Sequence, residues 1–162
     1  MSIRVYNRSR SRVEYELPEL HVRREFEIDE SKNIEEEELN MLCQQTGGKS
    51  ILLNYLVVDD KIWADEHLSP EIEYWWKPED IKNCLLNDSL DLFSETLDYA
   101  PTGVLEYIEY FSYTLPLTDL NKISIIKEKL GFDVLKVTEN LSNNNQSVIE
   151  QEKPTRRRRQ EA

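Results

Sequence analysis

Residues able to do catalytic or metal chemistry are few and scattered in this 162-residue sequence. The two histidines, His21 and His67, have no second histidine or cysteine at the spacing of a metal-ligand pair. A nucleophilic His–Cys–Asp arrangement has no fixed spacing, but nothing in the sequence favours one. Neighbouring acids such as Asp59-Asp60 are expected by chance among 32 acidic residues, and no EF-hand pattern accompanies them. The sequence therefore predicts no catalytic residue, no metal site and no enzymatic activity.

The string Gly47-Gly48-Lys49-Ser50 resembles the end of a phosphate-binding loop. That motif requires a further glycine separated from the Gly-Lys pair by four residues, and Cys43 stands there instead. We interpret the string as the end of one helix followed by the cap of another at Lys49-Ser50, and we expect no bound cofactor.

Tyr74-Trp75-Trp76 is the most distinctive local feature of the sequence. Three consecutive large aromatic side chains cannot all face one side, and Tyr and Trp dominate the energetics of protein interfaces. We predict that these residues bind a partner. The alternative, that they plug the junction between two structured parts, stays open.

The net charge of −12 is unevenly distributed. Residues 1–24 carry six arginines against three glutamates, whereas residues 25–149 carry nine lysines against 26 acids. Such an acidic body repels nucleic acid and favours a basic partner. Among the arginines we predict partner contacts for Arg23, Arg24, Arg156, Arg157, Arg158 and Arg159.

The arginine run at residues 156–159 lies in a polar C-terminal segment. It has three open interpretations: docking on an acidic protein surface, weak contact with a phosphate backbone, or a solubilising tail. Contact with nucleic acid is expected only through this run.

The N-terminal part, residues 1–62, is predicted to be a small α+β unit. Val13–Leu17 and Val22–Ile28 alternate in the manner of strands. Arg24 lies on the apolar face of the second strand, which marks either an edge face or a paired charge. Ile34–Gln45 has helical periodicity, and Ile51–Val58 is either a short helix or a buried strand.

Residues 63–77 form the predicted aromatic junction, and residues 78–141 are predicted to be a compact bundle of short helices. Pro78, Asn87-Asp88-Ser89, Thr118 and Gly131 mark expected helix ends. Residues 142–162 have almost no apolar content and are expected to be a flexible tail. The predicted fold class is therefore α+β. The predicted bundle core comprises Leu85, Leu90, Phe93, Leu97, Val104, Ile108, Leu120, Ile123 and Ile126.

No apolar run approaches the roughly 20 residues that span a bilayer, and no secretory h-region follows Met1. We therefore expect no membrane partner and a protein that is soluble inside a cell or assembled there.

A further pattern is spread over residues 7–134. Its segments are Asn7-Arg8-Ser9, Tyr15-Glu16-Leu17-Pro18-Glu19, Arg23-Arg24-Glu25-Phe26, Glu38-Leu39, Gly47-Gly48, Asn54-Tyr55-Leu56, Leu97-Asp98-Tyr99-Ala100-Pro101, Gly103-Val104, Leu115-Pro116-Leu117 and Gly131-Phe132-Asp133-Val134. In these segments the chain resembles uncharacterised proteins of tailed-phage genomes, often encoded among the virion genes. The resemblance implies a phage context and no particular activity.

These features together predict a non-enzymatic, virion-associated structural or adaptor protein of a tailed phage. Its expected partner is a larger virion protein of the capsid, neck or tail, and its expected location is the virion, with the host cytoplasm before assembly. The N-terminal part is expected to attach to the partner, and the helical part to present an acidic face. The alternative is a phage regulator whose acidic body mimics nucleic acid and binds a host enzyme or RNA polymerase.

Overall fold

The computed structural model describes residues 1–115 and 117–142, in which strands of the N-terminal half are followed by helices. This arrangement confirms the predicted α+β class. Of the predicted tail at residues 142–162, only residue 142 is among the described residues. The strands are β1 (Ser2–Asn7), β2 (Val13–Leu17), β3 (Val22–Phe26), β4 (Ser31–Glu35) and β5 (Leu56–Val58).

A three-stranded antiparallel sheet has β1 at its centre, between β4 and β5. Ile3 faces Ile34 of β4 across the register, and Val5 faces Val58 of β5. Strand β1 was not predicted, because Ile3 and Val5 are its only two alternating aliphatic residues. Pairing on both sides makes it the centre of the sheet.

The two strands predicted around Val13–Leu17 and Val22–Ile28 are present and pair as a separate two-stranded antiparallel hairpin of β2 and β3, with Val13 opposite Phe26. The second strand ends at Phe26 rather than at Ile28, whose side chain is exposed. A short 3₁₀ helix, Pro18–Leu20, and His21 in the left-handed conformation connect the two strands.

The helix predicted from Ile34 begins two residues later, as α1 (Glu36–Gln44). Ile34 belongs to β4 because residues 31–35 pair with β1, and this long-range pairing overrides the local helical periodicity. Residues 51–58, predicted to be either a helix or a strand, contain both. Helix α2 (Gly48–Asn54) ends within this run, and β5 begins two residues later.

The Gly47-Gly48 junction confirms a helix end followed by a new helix, but the second helix begins earlier than predicted. Gly47 has φ 81° and is the residue that precedes α2, in place of the expected cap at Lys49-Ser50. A Cβ at Gly48 would lie 1.8 Å from the Leu42 carbonyl oxygen, so a side chain there would collide with α1.

The remaining helices include the predicted bundle. They are α3 (Lys61–His67), a 3₁₀ turn (Ile72–Trp75), α4 (Pro78–Asn87), α5 (Leu90–Tyr99), α6 (Thr102–Thr114) and α7 (Leu120–Leu130), and residues 134–142 are also helical. Ser89 caps α5 as predicted, accepting a hydrogen bond from the Leu92 amide. Asp119 caps α7 in place of the predicted Thr118.

The buried apolar side chains form two clusters, one between Ile3 and Tyr74 and the other between Ile81 and Val134. The prediction of the bundle core is wrong at two residues, because Leu90 is 38% exposed and Leu120 is 69% exposed. Each is the first residue of its helix, and the buried stripe begins three residues later, at Phe93 and Ile123. The domain boundaries at residues 62, 77 and 141 stay predictions.

The first turn of α6 approaches the loop between β1 and β2 so closely that only glycine fits at position 103. A Cβ there would lie 2.3 Å from the Arg8 carbonyl oxygen and 2.8 Å from that of Asn54. The Thr102 amide donates to the Asn54 side chain beside this contact. Gly103 therefore permits the helical part to dock on the N-terminal part.

We expect Gly103→Ala to lower the free energy of unfolding by about 1–3 kcal/mol, because the added methyl overpacks two backbone carbonyls. An unconstrained helical glycine changed to alanine would instead gain roughly 0.5–1 kcal/mol. Urea denaturation gives the comparison, with the exposed Ser124→Ala in α7 as the control, which should stay within about 0.5 kcal/mol of the parent. A Gly103→Ala variant as stable as the parent would contradict the close approach.

Candidate functional site

A buried polar centre lies at the end of β1 and is formed by Asn7, Arg8 and Ser9; we call it the Arg8 centre. The Asn7 side-chain amide donates to the carbonyls of Ser11, Phe26 and Glu27. Its Oδ1 accepts a 2.6 Å hydrogen bond from the Ser9 hydroxyl. These bonds hold the loop that follows β1 against the end of the hairpin.

Arg8 is 1% exposed and binds backbone carbonyls rather than a carboxylate. Its Nη1 donates to the carbonyl oxygens of Tyr74 at 2.7 Å, Trp76 at 3.0 Å and Glu73 at 3.3 Å. Burial lowers the pKa of Arg8 to about 10, which leaves the guanidinium charged at neutral pH. Arg8 was not among the predicted site residues, although it belongs to one of the segments that carry the phage resemblance.

The carbonyls that Arg8 binds belong to the predicted partner-binding aromatics. Tyr74 is fully buried in the first cluster, and its hydroxyl accepts a 2.8 Å hydrogen bond from the Val58 amide. Trp75 packs against the first cluster and Trp76 against the second. This placement is the arrangement that the plug interpretation describes. Because both tryptophans keep part of their surface exposed, a partner contact stays a prediction.

Arg23 lies on the exposed side of the hairpin among glutamates. Its guanidinium is 3.5 Å from Glu14, 3.5 Å from Glu25 and 3.7 Å from Glu16. Arg12 joins the same network at 2.9 Å from Glu14 and 2.6 Å from Glu25. Exposed pairs of this kind contribute little to stability. The charge of Arg23 is therefore balanced within the chain, and its role in partner binding stays a prediction.

Arg24 is a paired charge, as one of its two sequence interpretations proposed. It forms a forked ion pair with Glu38 of α1, at 2.9 Å from Nε to Oε1 and 3.0 Å from Nη2 to Oε2. The Tyr15 hydroxyl donates to the same carboxylate at 2.8 Å. This pair joins β3 to α1, and a partner contact through Arg24 stays a prediction.

Glu38 was not among the predicted site residues, although it shares a helical ridge with Met41 in the sequence. Glu38 is 3% exposed as a residue, and burial alone would raise the pKa of its carboxyl group. Hydrogen bonds from Arg24 and Tyr15, together with the charge of Arg24, outweigh burial and lower the pKa of Glu38 below 4.5. The ionised form of Glu38 therefore stabilises the folded state.

A cavity of about 300 Å³ adjoins the Arg8 centre. Its wall combines cationic, acidic and phenolic side chains: Arg4, Tyr6, Asn7, Arg8, Asp29, Ser31, Asp59, Lys77, Pro78 and Tyr107. The Tyr107 hydroxyl donates to Asp29 at 3.0 Å, which fixes one side of the cavity. This cavity lies where β1, the start of α4 and α6 meet.

Helix α5 presents a second candidate surface on its outer side. Leu92 is 55% exposed and Tyr99 is 65% exposed, and Asp91 and Glu95 are exposed beside them. Residues 92, 95 and 99 share one helical face by their spacing. We call Asp91, Leu92, Glu95 and Tyr99 the α5 face.

The remaining sequence predictions concern the arginine run, His67, metal binding and membrane contact. The arginine run at residues 156–159 lies outside the described residues. His67 ends α3, and its ring stacks on Trp63 with centroids 4.4 Å apart. In residues 1–115 and 117–142, no three His, Cys, Asp or Glu side chains are grouped to hold a metal ion. None of the helices described is both long and apolar enough to cross a bilayer.

We expect Glu38→Gln to lower the free energy of unfolding at pH 7 by about 1–3 kcal/mol, the range for hydrogen bonds to a charged group. A depressed carboxyl pKa contributes stability that is fully present above the unfolded pKa and is lost as the pH falls through the folded pKa. The difference in the free energy of unfolding between the parent and Glu38→Gln should thus be largest above about pH 5. It should shrink as the pH falls below about 4.5.

Urea denaturation across this pH range tests the expectation, with the neighbouring exposed Glu37→Gln as the matched control. The control should show neither the loss nor its pH dependence. A Glu38→Gln deficit that is constant with pH would contradict the role of the charged pair.

We expect Trp76→Ala to lower the free energy of unfolding by about 2 kcal/mol, because its indole packs on the second cluster without being fully buried. Near-ultraviolet circular dichroism and thermal melting measure this loss, and a pull-down measures assembly. An unchanged melting temperature with weakened assembly would instead support Trp76 as a partner anchor.

Comparison of the chain with protein-family models, with curated proteins and with solved structures gave no match. The phage context therefore rests on the sequence segments alone, and the function is inferred from the residues and their geometry.

Proposed function

We propose that this chain is a non-enzymatic, virion-associated adaptor of a tailed phage that binds a basic surface of a larger virion protein. The observation that carries the proposal is the α5 face, where two large apolar side chains stand exposed beside carboxylates. Apolar anchors with a charged rim are typical of protein-binding surfaces.

The α5 face has the geometry of a helical contact surface. Its two apolar side chains are seven residues apart, about two helical turns, so a partner can bury both at once. On the opposite side of the helix, Phe93 and Leu97 are buried in the second cluster. The packed side fixes the helix, so the outer face is presented without a large rearrangement.

The charge of the face selects the class of partner. Residues 78–142 carry twelve acids against five lysines. Asp91 and Glu95 belong to none of the salt bridges found among the described residues, whereas Asp98 on the same helix is paired with Lys129 at 2.6 Å. A surface with Lys or Arg around an apolar recess would match these carboxylates.

The N-terminal arginines are used largely within the molecule. Arg8 binds backbone carbonyls, Arg24 pairs with Glu38, and the Arg10 guanidinium lies 3.7 Å from the centre of the Tyr110 ring. This supports placing the partner contact on the acidic helical part. It differs from the sequence expectation that the N-terminal part attaches to the partner.

The phage setting of the proposal rests on the sequence resemblance. The alternative, a phage regulator that mimics nucleic acid, draws on the same unpaired carboxylates of α5. The two differ in where the protein ends up, because an adaptor is retained in the particle and a regulator acts in the host cytoplasm.

We expect quantitative mass spectrometry of purified virions to detect the parent chain in many copies. The double variant Leu92→Ser/Tyr99→Ser should be incorporated at least about tenfold less, because removing two anchors costs more than the 1.4 kcal/mol that corresponds to a factor of ten. The matched control is the double variant Ile62→Ser/Ile72→Ser, which replaces two exposed apolar side chains outside α5. This control should be incorporated into virions like the parent.

Each outcome separates the hypotheses. Absence of the parent chain from virions would contradict the adaptor proposal and favour the regulator. Presence of the parent together with normal incorporation of the α5 double variant would contradict the α5 face as the contact surface. Circular dichroism of both double variants establishes that they are folded.

A further inference from the structure

The buried guanidinium of Arg8 has donors that the chain does not use. Nη1 is bound by three carbonyls, but Nε and Nη2 are buried without a hydrogen-bond partner among residues 1–115 and 117–142. None of the salt bridges in this part of the chain includes Arg8. Among the described residues, its positive charge is thus compensated by carbonyl dipoles and by the Tyr74 ring, whose centre lies 6.0 Å from the guanidinium, and not by a carboxylate.

An unpartnered buried donor carries a free-energy cost, which is larger when the group is charged. Nε and Nη2 of a guanidinium form the side-on fork that a planar pair of oxygens satisfies with two parallel hydrogen bonds. The lowered pKa of Arg8 agrees with a charge that lacks an anion. The chemistry that would complete the site is therefore an oxyanion with two coplanar oxygens.

The wall charge and the volume of the cavity beside Arg8 limit the class of ligand that could bind there. Arg4, Arg8 and Lys77 contribute three positive charges to its wall, and Asp29 and Asp59 contribute two negative ones. This balance suits a single negative charge and disfavours a phosphate dianion. A volume of about 300 Å³ holds a small molecule or the last residue of a chain.

The aromatic wall suits the remainder of such a ligand. Tyr6 and Tyr107 line the cavity with Pro78, and they present apolar ring surface along with hydroxyl groups. Since Tyr107 is held by Asp29, this part of the wall is positioned before a ligand arrives.

We propose that the cavity beside Arg8 binds a carboxylate, whose two oxygens accept hydrogen bonds from Nε and Nη2 of Arg8. The carboxylate belongs either to a small free acid or to the C-terminus of a peptide. This site is independent of the α5 face and goes beyond the adaptor function.

The test uses the full chain labelled with ¹⁵N and follows the Arg8 Nε–H resonance. Sodium acetate is the small-acid probe, and the tripeptide Ala-Ala-Ala with a free or an amidated C-terminus is the peptide probe. Sodium chloride at equal ionic strength is the salt control. Carboxylate binding should move the Arg8 resonance downfield in a saturable manner, while chloride and the amidated peptide leave it unchanged.

A variant that closes the cavity without touching Arg8 makes the test specific. Ser31 is an exposed residue of the cavity wall, and Ser31→Tyr should weaken the binding at least about tenfold. Ser2→Tyr, an exposed serine of the same sheet outside the cavity, should leave the binding unchanged.

The outcomes distinguish the two sources and the proposal itself. A response to acetate identifies a site for free acids, and a response to the free-carboxylate peptide alone identifies a site for a chain terminus. An Arg8 resonance that neither probe moves would overturn the proposal, and so would a response that persists unchanged in Ser31→Tyr.

Discussion

The guanidinium of Arg8 is a full positive charge in the interior, and the chain around it is arranged to tolerate that charge. Three carbonyls of residues 73–76 converge on Nη1, which fixes the backbone of the aromatic segment. The carbonyl of Arg8 itself sits against Gly103, where α6 begins. The central strand, the aromatic segment and the helical part thus meet at one residue. The placement of Tyr74, Trp75 and Trp76 follows from this convergence rather than from their apolar character alone.

The separation of charge along the chain has a structural counterpart. Several N-terminal arginines are bound within the molecule: Arg8 by backbone carbonyls, Arg24 by Glu38 of α1, and Arg10 by the ring of Tyr110 in α6. The helical part has few cations to pair with its acids, so carboxylates such as Asp91 and Glu95 remain available on the surface. The N-terminal arginines are bound mainly within the fold, whereas the exposed acids are the residues through which we propose that a partner binds.

Elements specified by local sequence patterns were predicted, whereas elements specified by pairing with distant segments were missed. The strands β2 and β3 and helices such as α5 followed from alternation, periodicity and caps, which act between near neighbours in sequence, whereas the pairing of the two strands was not predicted. The strands β1 and β4 were missed because each is specified by pairing with a distant segment, and Ile34 was assigned to a helix for the same reason. Leu90 and Leu120 fit a core stripe by spacing, yet burial depends on which residues a neighbouring element covers.

By itself, the amino-acid sequence determined the α+β class, the helical second half, the aromatic segment and the uneven charge, because composition and short-range periodicity encode these features. It also showed that Arg24 required either an edge position or a partner. Only the tertiary structure decided that the partner is Glu38, that Arg8 is buried beside a cavity, and that Leu92 and Tyr99 face outward. Each of these depends on segments far apart in the chain, and the approach of such segments is a property of the packed fold rather than of local sequence.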